Sequence, residues 1–152
     1  EIAALVNSRL EGQAEGSLDA ETEFFLRLSK ARADYRAGMK NEALAQMIFL
    51  KNYYPDHPMI YYELGKFYFQ EKLTAKGITL FEHLASRFQD PPSKDEVYFH
   101  LARYYYQVVG LNGYNLSYKY YKKILNSGMT SAYYSEALRM SEFLEKNFIN
   151  IR

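Results

Sequence analysis

Apolar residues return every three or four positions along almost the whole chain, the spacing that places them on one face of an α-helix. Ile2, Leu5, Val6 and Leu10 form a short amphipathic stretch stopped by Gly12 and Gly16. Ser17 or Asp19 can cap a second helix carrying Phe24, Leu28, Ala31 and Tyr35, which Gly38 ends. Ala43, Leu44, Met47 and Leu50 share the face of a helix over about 40–54, bracketed by Pro55 and Pro58. Residues 59–71 hold Tyr61, Leu64 and Tyr68, and residues 74–89 hold Ile78, Phe81 and Leu84. Asp90-Pro91-Pro92-Ser93 is a break, since neither proline continues a helix. Residues 95–109 carry Tyr98, Leu101 and Tyr105 up to a Gly110–Gly113 loop. Residues 114–127 carry Leu116, Tyr120, Tyr121 and Ile124, and Gly128 stops them. A last helix runs from Thr130 or Ser131 to about 147, burying Tyr134, Leu138 and Phe143 or Leu144 while Arg139 and Glu142 stay wet. No strand-like alternation competes, so the prediction is an all-α chain of about eight helices joined by short turns.

These helices repeat. Tyr61-x-x-Leu64-Gly65-x-x-Tyr68 returns as Tyr98-x-x-Leu101-Ala102-x-x-Tyr105, and in degraded form as Tyr134-x-x-Ala137-Leu138-x-x-Ser141. The intervening helices share one small and two large residues: Ala43, Met47, Leu50, then Gly77, Phe81, Leu84, then Ser117, Tyr121, Ile124. Small residues let two helices of a pair approach closely, and large aromatic ones fill the wedge toward the next pair.

On these residues the chain, over about residues 24–148, resembles the tetratricopeptide repeat family. The resemblance implies a right-handed superhelix of antiparallel helix pairs. Residues 1–16 would form an N-terminal helix and linker, residues 17–130 three helix pairs, and residues 131–152 a capping helix. Arg32 falls near the position where the first repeat should carry a small residue, and the third repeat lacks an exit proline. The joint Tyr54-Pro55-x-His57-Pro58, followed by Tyr61-x-x-Leu64-Gly65, resembles repeats of bacterial envelope proteins such as outer-membrane assembly lipoproteins and periplasmic cell-division coordinators. That implies a periplasmic or envelope-associated location, with the cytoplasm as the alternative. Because the sequence opens on Glu1 rather than Met, a lipid-anchored or targeting segment would lie outside these residues.

The family resemblance also implies a function. It is a non-catalytic scaffold that takes a protein or peptide on a concave face lined by first-helix residues. In the middle repeat these are Met59, Tyr62, Lys66, Phe69 and Gln70. In the third they are Glu96, Phe99, Arg103, Tyr106 and Gln107, and in the capping helix Ser135 and Arg139. Lys66, Arg103 and Arg139 would form a basic column beside aromatic columns of Tyr62 with Phe99 and Phe69 with Tyr106. Such a groove suits a segment carrying carboxylates and apolar anchors. The alternatives are an envelope-assembly subunit docking through an edge, and a helical regulatory or enzyme domain.

Composition narrows the field. The 152 residues carry 19 Lys+Arg against 18 Asp+Glu, a net charge of +1, which argues against a nucleic-acid binder relying on bulk charge. With 48% hydrophobic and 24% charged residues the chain is not wholly disordered, and no apolar run is long enough to span a membrane. There is no cysteine, hence no disulfide, thiolate nucleophile or iron–sulfur ligation. His57, His83 and His100 show no metal-ligand spacing, no G-x-S-x-G elbow occurs, and Gly110-Leu-Asn-Gly113 is not followed by the Lys-Ser/Thr of a phosphate loop. Glu21/Glu23 and Asp95/Glu96 stand at helix starts, where carboxylates favour the positive end of the dipole. No catalytic, cofactor or metal residue is therefore assigned. The cluster Lys119, Lys122, Lys123 lies opposite Tyr121 and Ile124 and reads as a solvated helix face.

Overall fold

A computed structural model describes residues 19–149. They form α1 (Ala20–Arg36), α2 (Lys40–Tyr53), α3 (Pro58–Gln70), α4 (Thr74–Arg87), α5 (Lys94–Tyr104), α6 (Tyr114–Asn126) and α7 (Tyr134–Asn147), with no strand among them. The predicted helix over residues 2–10 lies outside the described residues, so seven of the eight expected helices fall within them.

Local chemistry accounts for the helix ends. Asp19 caps α1, its carboxylate accepting from the Thr22 N–H at 2.9 Å and from the Thr22 hydroxyl at 2.7 Å. At its other end the chain turns through Gly38 in the left-handed region, φ 84°, and the Met39 N–H closes on the Asp34 carbonyl at 2.9 Å. The α3–α4 turn repeats this geometry with Lys72 at φ 61°, the Leu73 N–H closing on the Tyr68 carbonyl at 2.8 Å. The α2–α3 joint is held differently. Pro58 opens α3, the His57 Nδ1 accepts from the Met59 N–H at 3.3 Å, and the Tyr61 hydroxyl donates to the Pro55 carbonyl at 2.7 Å.

The third pair departs from the first two. The stretch expected to continue α5 to residue 109 changes at Tyr105 into a π-turn, Tyr105–Val109, followed by a 3₁₀ turn, Gly110–Gly113, that leads into α6. Gly113 is required there: a Cβ would sit 2.4 Å from the Tyr105 carbonyl oxygen.

Each helix packs chiefly on its neighbours in the chain. Within the pairs small residues sit at the closest approaches, and a Cβ on Gly65 would lie 2.6 Å from the Phe81 ring and one on Gly77 2.7 Å from the Phe69 ring. Between α5 and α6 the Ser117 hydroxyl donates to the Ala102 carbonyl at 2.8 Å. In α1 the small residue is Ala31, next to Arg32, fully buried and spaced from Ala43 as Gly65 is from Gly77. The Leu and Tyr positions of the pattern are taken in α1 by Lys30 and buried Asp34, joined at 2.8 Å.

Two apolar clusters meet across α5. Val97 and Leu101 face the cluster built from α1 to α4, while Tyr98 and Ala102 face the one shared with α6 and α7. Tyr121, an expected wedge residue, is buried in the second cluster, and burial raises its phenol to about 12. Two expected core residues, Leu116 and Leu138, are instead exposed, and of the pair Phe143 or Leu144 it is Leu144 that is buried. Leu116 points outward from α6, and on α7 Ala137, Met140, Ser141 and Leu144 are buried while Leu138 (38% exposed) and Phe143 (41%) are not. Among the described residues no helix follows α7 to cover the face that carries Leu138.

Candidate partner-binding groove

Side chains of α1, α3, α5 and α7 are tied in sequence by polar bonds across consecutive first helices. The Arg32 guanidinium on α1 donates to Glu63 on α3 at 2.5 Å. The Tyr62 hydroxyl on α3 donates to Glu96 on α5 at 2.6 Å, and Arg103 on α5 lies 3.9 Å from Glu136 on α7. At the end of α3, Glu71 accepts from the Tyr35 hydroxyl and from Lys40, each at 2.9 Å. These bonds hold the Glu71 carboxyl below its ordinary range, Lys40 being the largest cause, and raise Lys40.

Two open clefts run over this side of the molecule. The first, about 330 Å³, lies between α1 and α3 and is lined by Arg32, Tyr35, Arg36, Glu63, Lys66 and Gln70 among others. The second, about 270 Å³, is lined by Lys66, Phe69, Gln70, Glu96 and His100. Lys66 and Gln70 belong to both, so the two clefts form one strip from α1 to α5.

Of the residues expected in a groove, Lys66, Phe69 and Gln70 line this strip. Phe69 is half-buried, its face stacked on His100 at 4.5 Å and its edge against Phe81 at 5.0 Å. Burial pushes the His100 imidazole below its ordinary value. Tyr62 is buried, lying parallel to Phe81, with Lys66 over its ring at 4.8 Å. It therefore braces α3 against α5, and its phenol is raised by burial and by the bond to Glu96. Met59 is half-buried against the first cluster. Phe99 stacks on Tyr133 at 4.4 Å, with Arg103 over it at 5.4 Å. Tyr106 and Gln107 stand in the π-turn, out of step with Phe69 and Gln70 on α3; Tyr106 stacks on Tyr114 at 5.2 Å and Gln107 is exposed. Arg139 and Ser135 are exposed on α7.

The basic column is thus interleaved with carboxylates. Glu63, Glu96 and Glu136 alternate with Arg32, Lys66 and Arg103 across the helices. Arg36 and Lys66, at the rim of the first cleft, make no ion pair among the described residues. Tyr133 and His100 were not anticipated in the groove set. Their signal in the sequence is a recurring step of about one repeat between partners, as in Arg32 and Glu63 or Arg103 and Glu136. No group of three or more metal-ligating side chains converges among the described residues. Comparison with protein-family models, with curated proteins and with solved structures finds no match to this chain.

Proposed function

We propose that the chain is a tetratricopeptide-repeat-like scaffold that binds an extended segment of a partner protein along the strip from α1 to α5 and carries out no chemistry of its own. The observation that carries this reading is the sharing of Lys66 and Gln70 by two adjoining clefts. Together they offer cations (Arg36, Lys66), the half-buried Phe69 ring beside His100 and the Gln70 amide in one line. Small residues at the pair contacts and polar ties between successive first helices support a superhelical stack, whose inner side would be this strip. The partner segment carries a carboxylate for Lys66 and Arg36 and an apolar side chain for the part of the Phe69 ring left open to the cleft. The carboxylates of Glu63 and Glu96 favour a mixed segment over a purely acidic one.

Peptides selected on the intact chain from a displayed random library test this. Lys66→Glu weakens the selected peptides tenfold or more while the melting midpoint holds. Peptides that bind Lys66→Glu and Arg36→Glu as tightly as the parent chain move the binding surface elsewhere.

A further inference from the structure

The third helix pair carries a surface that the groove does not use. Where the first two pairs close with a tight turn, the π-turn and the 3₁₀ turn after it hold Val108 (65% exposed), Val109 and Leu111 (75%) in solvent. Leu116, in the first turn of α6 just after this turn, is also exposed, and the exposed side of α6 then carries Lys119 and Lys122. The stretch between Glu96 and Glu136 contains Arg103, Lys119, Lys122 and Lys123 and no acidic residue, in a chain whose net charge is only +1. The Lys122 ammonium lies over the Tyr118 ring at 5.9 Å rather than against a carboxylate. Aliphatic residues at a tip, followed along one helix face by cations that make no ion pair among the described residues, is the arrangement that joins apolar insertion to attraction for an anionic surface.

We propose that Val108, Val109, Leu111 and Leu116, with Lys119 and Lys122, form a docking surface for an anionic lipid bilayer. The aliphatic side chains enter the headgroup–acyl boundary, and the lysines meet lipid phosphates and carboxylates. A second copy of the chain is a poorer occupant, because a two-fold contact through this whole surface would bring two basic helix faces together with no carboxylate between them. A single-stranded nucleic acid is also poorer, because branched aliphatic side chains offer no flat face on which bases stack.

The test is co-sedimentation of the full chain with vesicles of phosphatidylcholine alone and of phosphatidylcholine and phosphatidylserine in equal parts. The parent chain partitions onto the serine-containing vesicles only, and salt releases it. Lys119→Glu with Lys122→Glu lowers partitioning by about twenty-fold or more, on the basis of about fivefold per lysine near such a surface. Leu111→Asp also lowers it, while Lys51→Glu on α2, with the same change in charge as one of the lysine substitutions, leaves it unchanged. Melting curves that match the parent establish that the lysine variants are folded, and these carry the test if Leu111→Asp is destabilised. Equal partitioning onto both vesicle types, no partitioning, an equal loss with Lys51→Glu, or tighter retention on a single-stranded oligouridylate overturns the proposal.

Discussion

The ring of Phe81 occupies the space that a Cβ on Gly65 would need, 2.6 Å away, and Phe81 is itself fully buried between α3 and α5. Phe69 presses on it edge-on, Tyr62 lies parallel to it and His100 meets its edge, so the ring has no free direction in which to yield. A larger residue at position 65 must therefore separate α3 from α4. Gly65→Ala is expected to destabilise by about 1 kcal/mol, although alanine is the better helix former by roughly that amount. Gly65→Leu costs about 3 kcal/mol. Denaturant titration checks both, and an unchanged midpoint for Gly65→Leu would show that the pair contact is not where the structure puts it.

Lys72 and Gly38 occupy the same place in the turns of successive helix pairs, each with positive φ and each followed by a backbone bond back into the preceding helix. A Cβ at Gly38 would touch nothing within 4 Å, so the difference between the two positions is one of backbone preference and not of packing. Left-handed backbone costs a non-glycine residue about 1–2 kcal/mol, partly offset by the greater freedom that glycine loses on folding. Lys72→Gly is expected to stabilise the chain by about 1 kcal/mol, and Gly38→Lys to destabilise it by a similar amount. The measurement is the unfolding midpoint at constant denaturant slope. A Lys72→Gly chain no more stable than its parent would mean that the lysine side chain makes a compensating contact.

Helix existence was legible because its signals are local: a 3.6-residue apolar period, Asp19 as a cap, and prolines at the joints. Burial on α7 was less so. Leu138 holds the position of Gly65 and Ala102, but whether that face is covered depends on a helix arriving from elsewhere, which periodicity does not encode. The register of α1 was hidden because a partly buried ion pair, Lys30 with Asp34, stands where Leu and Tyr stand in α3 and α5. The Gly110–Gly113 insertion was visible as a loop, yet its consequence for Tyr106 and Gln107 was not, because the helix widens to a π-turn upstream of the glycines. In the groove, residue spacing brought out Lys66, Phe69 and Gln70. It placed Tyr62 beside them without revealing that Glu96, one repeat along, draws its hydroxyl inward.

All three histidines lie against an aromatic ring of another element, His57 and His100 stacked and His83 tilted, and their burial there disfavours the protonated imidazole. The His57 ring lies 3.7 Å from that of Phe24, His83 4.3 Å from Tyr61, and His100 4.5 Å from Phe69. Burial is the largest cause lowering each below the ordinary 6.5; Glu21 opposes it at His57, Arg87 and Lys51 add to it at His83, and at His100 Glu96 opposes it while Arg103 adds to it. A histidine whose folded value lies below its unfolded one binds protons more readily in the unfolded chain. Its stabilising contribution is complete above about pH 6.5 and falls as pH drops toward the folded value. At His57 the proton also removes the Nδ1 acceptor that caps α3. The carboxylates held low, Asp19 and Glu71, lose their contributions only nearer their ordinary values of 3.8 and 4.5, so the two windows separate. Melting midpoints between about pH 7.5 and 5.5 should therefore fall for the parent chain. They should fall less for a triple variant, His57→Asn, His83→Gln, His100→Gln, in which asparagine keeps an acceptor at the cap. Parallel pH profiles for the two chains would show that the histidines are not the groups being titrated.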